Sequence, residues 1–163
     1  MDNAVRTVLI GVGATALLDV WTILRTRVFG VRAPDYGLVG RWLAHLRHGR
    51  FRHAAIAAAT PARGEKAIGW VAHYVTGAGF AALVPLFLGP AWLLAPTLAP
   101  ALVIGVATVA VPFLLMQPAM GLGVAASRTP RPAAARAQSI VTHAVFGAGL
   151  WVAARLIAEL FPL

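Results

Sequence analysis

Cysteine is absent from the 163-residue chain, and charged residues are scarce. The lack of cysteine excludes disulfides, thiolate metal sites, iron–sulfur clusters and cysteine nucleophiles. Charged residues make up 12% of the chain, whereas an ordinary soluble domain has about 25%. Acidic residues are the rarest, with five Asp and Glu against 14 Lys and Arg. Apolar residues make up 60% instead, an excess that is typical of a membrane protein.

Motifs of soluble enzymes are missing as well. The sequence contains no GxSxG, no P-loop and no HExxH, and GVGATA and GLGVAA match a dinucleotide fingerprint only loosely. A net charge of +9 would suggest nucleic acid in a soluble protein, but here the basic residues adjoin apolar stretches. We therefore expect no nucleic-acid partner.

Four apolar segments are long enough to cross a bilayer as helices. A hydrocarbon core of roughly 30 Å needs about 20 mainly apolar residues in a helix. These segments lie near residues 6–24, 66–88, 98–125 and 137–160. The sequence therefore predicts an all-α integral membrane protein, a four-helix bundle that forms a single transmembrane domain over residues 1–163.

Lys and Arg are concentrated in two of the three connections between these spans. The first loop, residues 25–65, is strongly basic, the third holds Arg128, Arg131 and Arg136, and the second holds no Lys or Arg. Basic residues are retained on the cytoplasmic side, and with four spans the first and third loops share a side. We therefore expect a multi-pass protein of the bacterial inner membrane with both termini on the periplasmic side.

The first loop also contains an amphipathic pattern. Apolar residues recur at one-, three- and four-residue spacing at Leu38, Val39, Trp42, Leu43 and Leu46. This spacing predicts an interfacial helix with Arg41, Trp42 and Arg47 at the membrane surface, where the Arg side chains meet anionic headgroups. The plainer interpretation is that the loop only sets topology. After it, FRHAAIAAAT predicts a second short helix, and Thr60 and Pro61 predict the start of span two.

Three ionisable residues, Asp19, His73 and His143, interrupt the predicted spans. Counted along each helix from the nearest basic residue, all three lie roughly 9–10 Å inside the membrane. Ionisable groups are costly in lipid and should face the bundle interior. Gln117 and Met120 belong to the same half of span three, so we expect one polar cluster in the cytoplasmic leaflet. Small residues share the helix faces of these groups and predict close helix packing there, at Gly11, Thr15, Gly69, Gly77, Ser139 and Gly147.

The chemistry of this cluster has several interpretations. Asp19, His73 and His143, with Met120 nearby, offer a ligand set for a divalent metal. The two histidines could also be axial ligands of a haem, which is the weaker alternative. Titration of the same groups suits a proton relay coupled to transport, and a structural hydrogen-bond network needs no ligand at all.

The basic residues after span three allow a further prediction. Arg128, Arg131 and Arg136 would attract an anionic headgroup or substrate to the entrance of the polar cluster, although topology alone also accounts for them. The small-residue faces suit a homodimer as well as packing within one chain.

Several strings resemble a bacterial family of small, uncharacterised four-helix inner-membrane proteins, catalogued as a domain of unknown function. They are DYGLVGRWLAHLRHGRFRH (35–53), GEKAIGWVAHYVTG (64–77), PFLLMQPAMGLGVAASRTPRP (112–132) and THAVFGAGL (142–150). The resemblance implies a four-helix membrane protein and supplies no activity, so no catalytic residue follows from it. The resembling segments contain His73, Gln117, Met120, Arg128 and His143 but not Asp19.

These observations predict a small carrier or an ion- or metal-binding membrane protein that uses Asp19, His73, Gln117 and His143. One alternative is an accessory or assembly subunit of a membrane complex whose polar layer is structural. Another is a membrane-embedded metal or haem protein. The sequence leaves open whether the protein is an enzyme.

Overall fold

Four helical segments of the computed structural model, which describes residues 1–162, are long and apolar enough to cross a membrane. They are Asn3–Phe29, Glu65–Leu88, Leu98–Ala119 and Pro132–Leu160. No β-strand occurs within residues 1–162. The prediction of an all-α protein with four long apolar helices is confirmed, and the main difference in bounds is in the third segment.

Helix α1, Asn3–Phe29, is capped at both ends by the residues that flank it. The carboxylate of Asp2 accepts a hydrogen bond from the amide of Ala4, which satisfies a donor of the first turn. At the other end Gly30 adopts a φ of 64°, a left-handed conformation that suits glycine, and its amide donates to Thr26. The helix is therefore longer than the apolar stretch alone predicts.

Two compact units divide the chain. The first consists of Met1–Ala33, Tyr74–Thr108 and the chain from Val141 onwards, and the second of Pro34–His73 and Val109–Ile140. Both units are discontinuous in sequence, because helices α3, Glu65–Leu88, and α6, Pro132–Leu160, each contribute to both.

The first unit is packed through apolar side chains and closely approaching glycines. A Cβ atom on Gly11 would collide with the backbone of Gly77 and Ala78, and one on Gly105 would collide with the backbone of Gly147. The prediction that Gly11, Gly77 and Gly147 lie on packing faces is confirmed, because their lack of a side chain lets the helices touch. The buried core of this unit includes Ile10, Ala14, Leu18, Val84, Leu93, Phe146, Leu150 and Ile157.

The two ends of the chain meet in the first unit. Arg6 is completely buried, and its guanidinium donates to the backbone carbonyl of Phe161, next to the end of α6. A second guanidinium nitrogen, Nε, donates to the carbonyl of Met1 at 3.4 Å. A cation at a helix C-terminus satisfies carbonyls that the helix leaves unpaired. Arg6 therefore links the first turns of α1 to the residue that follows α6.

The third span is interrupted. Helix α4 covers Leu98–Ala107, a π-helical turn covers Pro112–Met116, and the short helix α5 covers Gln117–Ala119. Proline at position 112 lacks an amide hydrogen, which favours such a break. The helical segment ends at Ala119 and not near residue 125 as predicted, because Gly121 and Gly123 take positive φ angles of 91° and 77° that end the helix.

The first loop contains one α-helix, α2, over Tyr36–Leu46, which confirms the helix expected from the amphipathic pattern. The second short helix is reduced to a single 3-10 turn at Ile56–Ala58. Thr60 and Pro61 do not begin the second span, which was the prediction. Instead α3 begins at Glu65, whose carboxylate accepts from the amide of Ala62 at 2.8 Å and so holds the turn that leads into the helix.

Candidate functional site

Asp19 is paired with a tyrosine that the sequence analysis overlooked. In the first unit the Tyr74 hydroxyl donates to the Asp19 carboxylate at 2.9 Å. Tyr74 follows His73 directly in α3. A tyrosine inside an apolar span, next to a histidine, is the signal that would have identified it, because a buried hydroxyl needs a hydrogen-bond partner.

His143 has a different polar partner in the same unit. Its Nδ1 atom lies 2.7 Å from the hydroxyl oxygen of Thr108, and that hydroxyl lies 2.6 Å from the carbonyl of Gly105. The single hydrogen of the hydroxyl donates to the carbonyl, so the imidazole Nδ1–H donates to the hydroxyl oxygen. Thr108 is 3% exposed, and its position near the middle of an otherwise apolar span was the available signal.

His73 lies in the second unit within a cluster of aromatic rings. Its ring stacks on that of Tyr36 with centroids 4.2 Å apart, and Trp70 meets it edge-on at 5.8 Å. The cluster forms because α2 approaches the first turns of α3 closely. The backbone of Tyr36 lies so near Gly69 that there is no room for a Cβ atom on that residue. Tyr36 was not predicted to contact His73.

Gln117 and Met120 are both buried in the second unit. Gln117 is 7% exposed and Met120 5%. The side-chain oxygen Oε1 of Gln117 is buried without a hydrogen-bond partner. An unsatisfied buried amide oxygen next to a π-helical turn is uncommon in a well-packed protein and suits a ligand.

No group of three or more His, Asp or Glu side chains within residues 1–162 is arranged to hold a metal ion. The structure therefore gives no support to a three-ligand site of Asp19, His73 and His143. Their observed partners are the rings and hydroxyls of Tyr74, Tyr36 and Thr108.

Arg41 differs from its predicted position at the membrane surface. It is 9% exposed, and two of its nitrogens donate to the two carboxylate oxygens of Glu65, each at 2.8 Å. A third nitrogen donates to backbone carbonyls of the 3-10 turn and the residue after it, at Ile56, Ala57 and Ala59. The physical reason is the adjacent Gly40, which allows α2 to touch the backbone of Glu65. Arg41 therefore joins three elements of the second unit.

Trp42 and Arg47 also lie in the second unit, where Arg47 is exposed; their position at the membrane surface stays a prediction. The indole Nε1 of Trp42 donates to the carbonyl of Phe51 at 3.1 Å. Beside them lies an open groove with a cavity volume of about 150 Å³, which we call the Trp42 groove. It is lined by Trp42, Phe51, Arg52, Leu114, Leu115, Pro118 and Ala119.

The basic residues after span three lie on the surface of the second unit. Arg128, Arg131 and Arg136 are all exposed, and Nε of Arg136 donates to the carbonyl of Ala125 at 2.7 Å. Ala125 has a positive φ of 47°, which is unfavourable for a residue with a Cβ, so this bond helps hold a strained turn. The role of these residues in attracting anions stays a prediction.

Two histidines that the sequence analysis left out lie side by side in the second unit. The ring centroids of His45 and His53 are 5.0 Å apart, with an angle of 37° between the planes. Burial lowers the pKa of His53, and electrostatic interaction with His45 and Arg50 lowers it further. The available signal was compositional, because HLRHGRFRH contains three histidines within nine residues, and histidine-rich tracts are typical of metal sites.

Charge is divided unequally between the two units. The second unit holds nine Lys and Arg against two carboxylates, a net charge of +7. The first unit holds five Lys and Arg against three carboxylates, a net charge of +2. Most of the positive charge of the chain therefore belongs to the second unit.

The helices and this charge distribution define a class, the all-helical proteins with four candidate membrane-spanning helices and a basic loop between the first two. Within that class the chain belongs to the family described as "Protein of unknown function (DUF2938)", which matches residues 8–157. The resemblance to an uncharacterised family is thereby confirmed. No curated protein and no solved structure matches the chain.

Proposed function

We propose that this protein is an integral protein of the bacterial inner membrane, with both termini outside, that binds an anionic phospholipid through its second unit. The observation that carries the proposal is the Trp42 groove, which has apolar walls and an exposed arginine, Arg52, in a unit of net charge +7. A phospholipid is complementary to such a groove, because its acyl chains are apolar and its phosphate is negatively charged.

The walls of the groove combine residues of the third span with residues of the basic loop. Leu114 and Leu115, in the π-helical turn, are 66% and 59% exposed, and Phe51 is 64% exposed. The bond from Trp42 to the Phe51 carbonyl fixes the indole at the rim, a position typical of aromatic residues at the level of lipid headgroups. An acyl chain would lie against the leucines while its phosphate meets Arg52.

Native mass spectrometry in mild detergent tests the proposal with an equimolar mixture of phosphatidylglycerol and phosphatidylcholine. We expect adducts of phosphatidylglycerol to dominate. Arg52→Gln should reduce phosphatidylglycerol binding about fivefold, since a basic residue near anionic lipid contributes about 1 kcal/mol. The same spectra report whether the chain is the expected homodimer.

Arg63→Gln is the matched control. Arg63 is exposed, belongs to the same unit and loses the same charge, but it does not line the groove. An equal loss of phosphatidylglycerol binding in both variants would show that charge alone attracts the lipid. Equal binding of phosphatidylglycerol and phosphatidylcholine by the unmodified protein would contradict the proposal.

A small carrier is the second candidate, and Gln117 is the residue that favours it. Its unsatisfied Oε1 follows a π-helical turn in an interrupted span, and interrupted helices form the binding sites of many transporters. Reconstitution into liposomes with a pH-sensitive dye inside would test proton flux and, with labelled sodium, sodium flux. Flux above that of empty liposomes, lost in Gln117→Met, would support a carrier.

The absence of flux in the same liposomes would favour an accessory or assembly subunit. The pairs Asp19–Tyr74 and His143–Thr108 support that alternative, because hydrogen-bonded polar pairs between membrane helices stabilise a bundle without any ligand.

A further inference from the structure

The adjacent imidazoles of His45 and His53 are not among the residues that line the Trp42 groove. His45 is in the last turn of α2, and His53 is in the segment that follows it. The amide of His53 donates to the carbonyl of Ala119 at 2.8 Å, and the amide of Ile56 donates to Met120 at 3.1 Å. These bonds hold the segment that carries His53 against the residues after span three, so the ring pair is built on a constrained backbone.

Each ring has a buried nitrogen that no protein group satisfies. These atoms are Nδ1 of His45 and Nε2 of His53, and His45 as a whole is only 9% exposed. Buried imidazole nitrogens almost always have a partner, so each of these two nitrogens is open to a ligand. No acidic side chain is available to fill that role, because Asp35 and Glu65 of this unit already bond to Gly37 and Arg41.

We propose that His45 and His53 bind one divalent transition-metal ion, with Zn²⁺ as the best fit, through these two nitrogens. A Zn–N bond of about 2.0–2.1 Å places a tetrahedral metal roughly 3 Å from each ring centroid. Two rings on adjacent tetrahedral positions then have centroids about 5 Å apart, which agrees with the observed 5.0 Å. A linear two-coordinate ion would need the rings farther apart.

The two imidazoles provide only part of the coordination of a tetrahedral ion. Two protein ligands leave two tetrahedral positions for water or for an exogenous ligand. Sites with open positions exchange or activate what they bind, whereas structural zinc sites are closed by four protein ligands. The nearby Arg50 weakens cation binding, so we expect exchangeable metal.

Isothermal titration of zinc into the full-length, metal-free protein in detergent micelles tests the proposal. We expect one Zn²⁺ per chain. His45→Gln and His53→Gln should each lower the affinity at least tenfold, because each removes one of two protein ligands. Co²⁺ in place of Zn²⁺ should give the intense visible absorption of a tetrahedral complex, which reports the geometry without any variant.

His48→Gln is the matched control. His48 is exposed, lies in the same histidine-rich tract and accepts from Nε of Arg47 at 3.0 Å, so its loss should leave the affinity unchanged. Three results would overturn the proposal: no saturable zinc binding, equal weakening by His48→Gln, or unchanged affinity in both His45→Gln and His53→Gln. If one of the two ligand variants fails to fold, the other variant and the Co²⁺ spectrum still test the proposal. Lipid binding does not enter this titration, so its outcome is independent of the proposed function.

Discussion

Thr108 shows how one hydroxyl organises the buried polar residues of the first unit. It donates to a backbone carbonyl of its own helix and accepts from a histidine of another helix. A buried serine or threonine in a membrane helix often bonds only to its own backbone. Here the second bond selects the tautomer of His143 with hydrogen on Nδ1, which leaves Nε2 without a proton.

Thr108→Val should destabilise the protein by about 1–3 kcal/mol. Valine keeps the shape of the side chain but leaves the buried Nδ1–H of His143 without an acceptor, and an unmade buried hydrogen bond costs about that much. The free energy of unfolding, measured by denaturant titration in micelles, checks this. The double variant Thr108→Val with His143→Phe should recover part of the loss, because it removes both partners. No recovery would mean that the two side chains are not coupled.

At the scale of elements, close glycine contacts decide which helices touch. Gly40 brings α2 against the start of α3, and that approach turns Arg41 from a surface residue into a buried partner of Glu65. The side chains of this ion pair are 11% and 17% exposed, in contrast to 54% and 63% for the Arg155–Glu159 pair on α6. An exposed i,i+4 pair contributes little to stability. Of the two ion pairs, Arg41–Glu65 is therefore the one that stabilises packing, in the second unit.

Gly105→Ala should destabilise the protein by about 1–3 kcal/mol, the usual cost of an added methyl group that a packed interior has no room for. The new Cβ would meet the backbone of Gly147 and the carbonyl of His143. The midpoint of denaturant unfolding in micelles measures the change.

Gly79→Ala is the control for this substitution. Gly79 is a helical glycine of the same unit, and a Cβ atom added there would have no contact within 4 Å beyond its chain neighbours and the backbone of its own helix. Alanine at this position should therefore stabilise the helix by about 0.5–1 kcal/mol. A loss of stability in both variants would show that alanine is unfavourable in these helices for a reason other than contact.

At the scale of the whole molecule, the charge distribution predicts how the chain is oriented. Large apolar side chains remain exposed along the spans, for example Val20 at 62%, Val71 at 63% and Val103 at 69%, as expected for helix faces that contact lipid. The unit of net charge +7 contains residues 34–65 of the first loop and the whole third loop, and the positive-inside rule predicts that these loops are cytoplasmic.

Reporter fusions test this orientation. Alkaline phosphatase fused after residue 163 should be active, because it folds only outside the cytoplasm, and green fluorescent protein at the same position should be dark. A fusion within the exposed segment Gly49–Arg52 should give the opposite pattern. Fluorescent C-terminal fusions together with inactive phosphatase would reverse the orientation.

The spans were predictable because membrane helices are local features: about 20 consecutive apolar residues make a span whatever the rest of the chain does. The same local reasoning found α2 from its apolar spacing. The end of the third span and the start of the second were predicted wrongly, because those ends depend on two glycines with positive φ and on the bond from the Ala62 amide to the Glu65 carboxylate. Asp19, His73, Gln117 and His143 are recognisable in the sequence as polar residues inside the spans, but the surroundings of each side chain are not.

The class of this protein, its four long apolar helices and the concentration of basic charge in two loops follow from the sequence, since each depends on residues close together in the chain. The partners of the polar residues depend on tertiary contacts instead. Asp19 and Tyr74 are 55 residues apart in sequence, and Thr108 and His143 are 35 apart. The burial of Arg41 and the pairing of His45 with His53 likewise depend on how closely backbones approach, a property of packing that residue types and spacing do not encode locally.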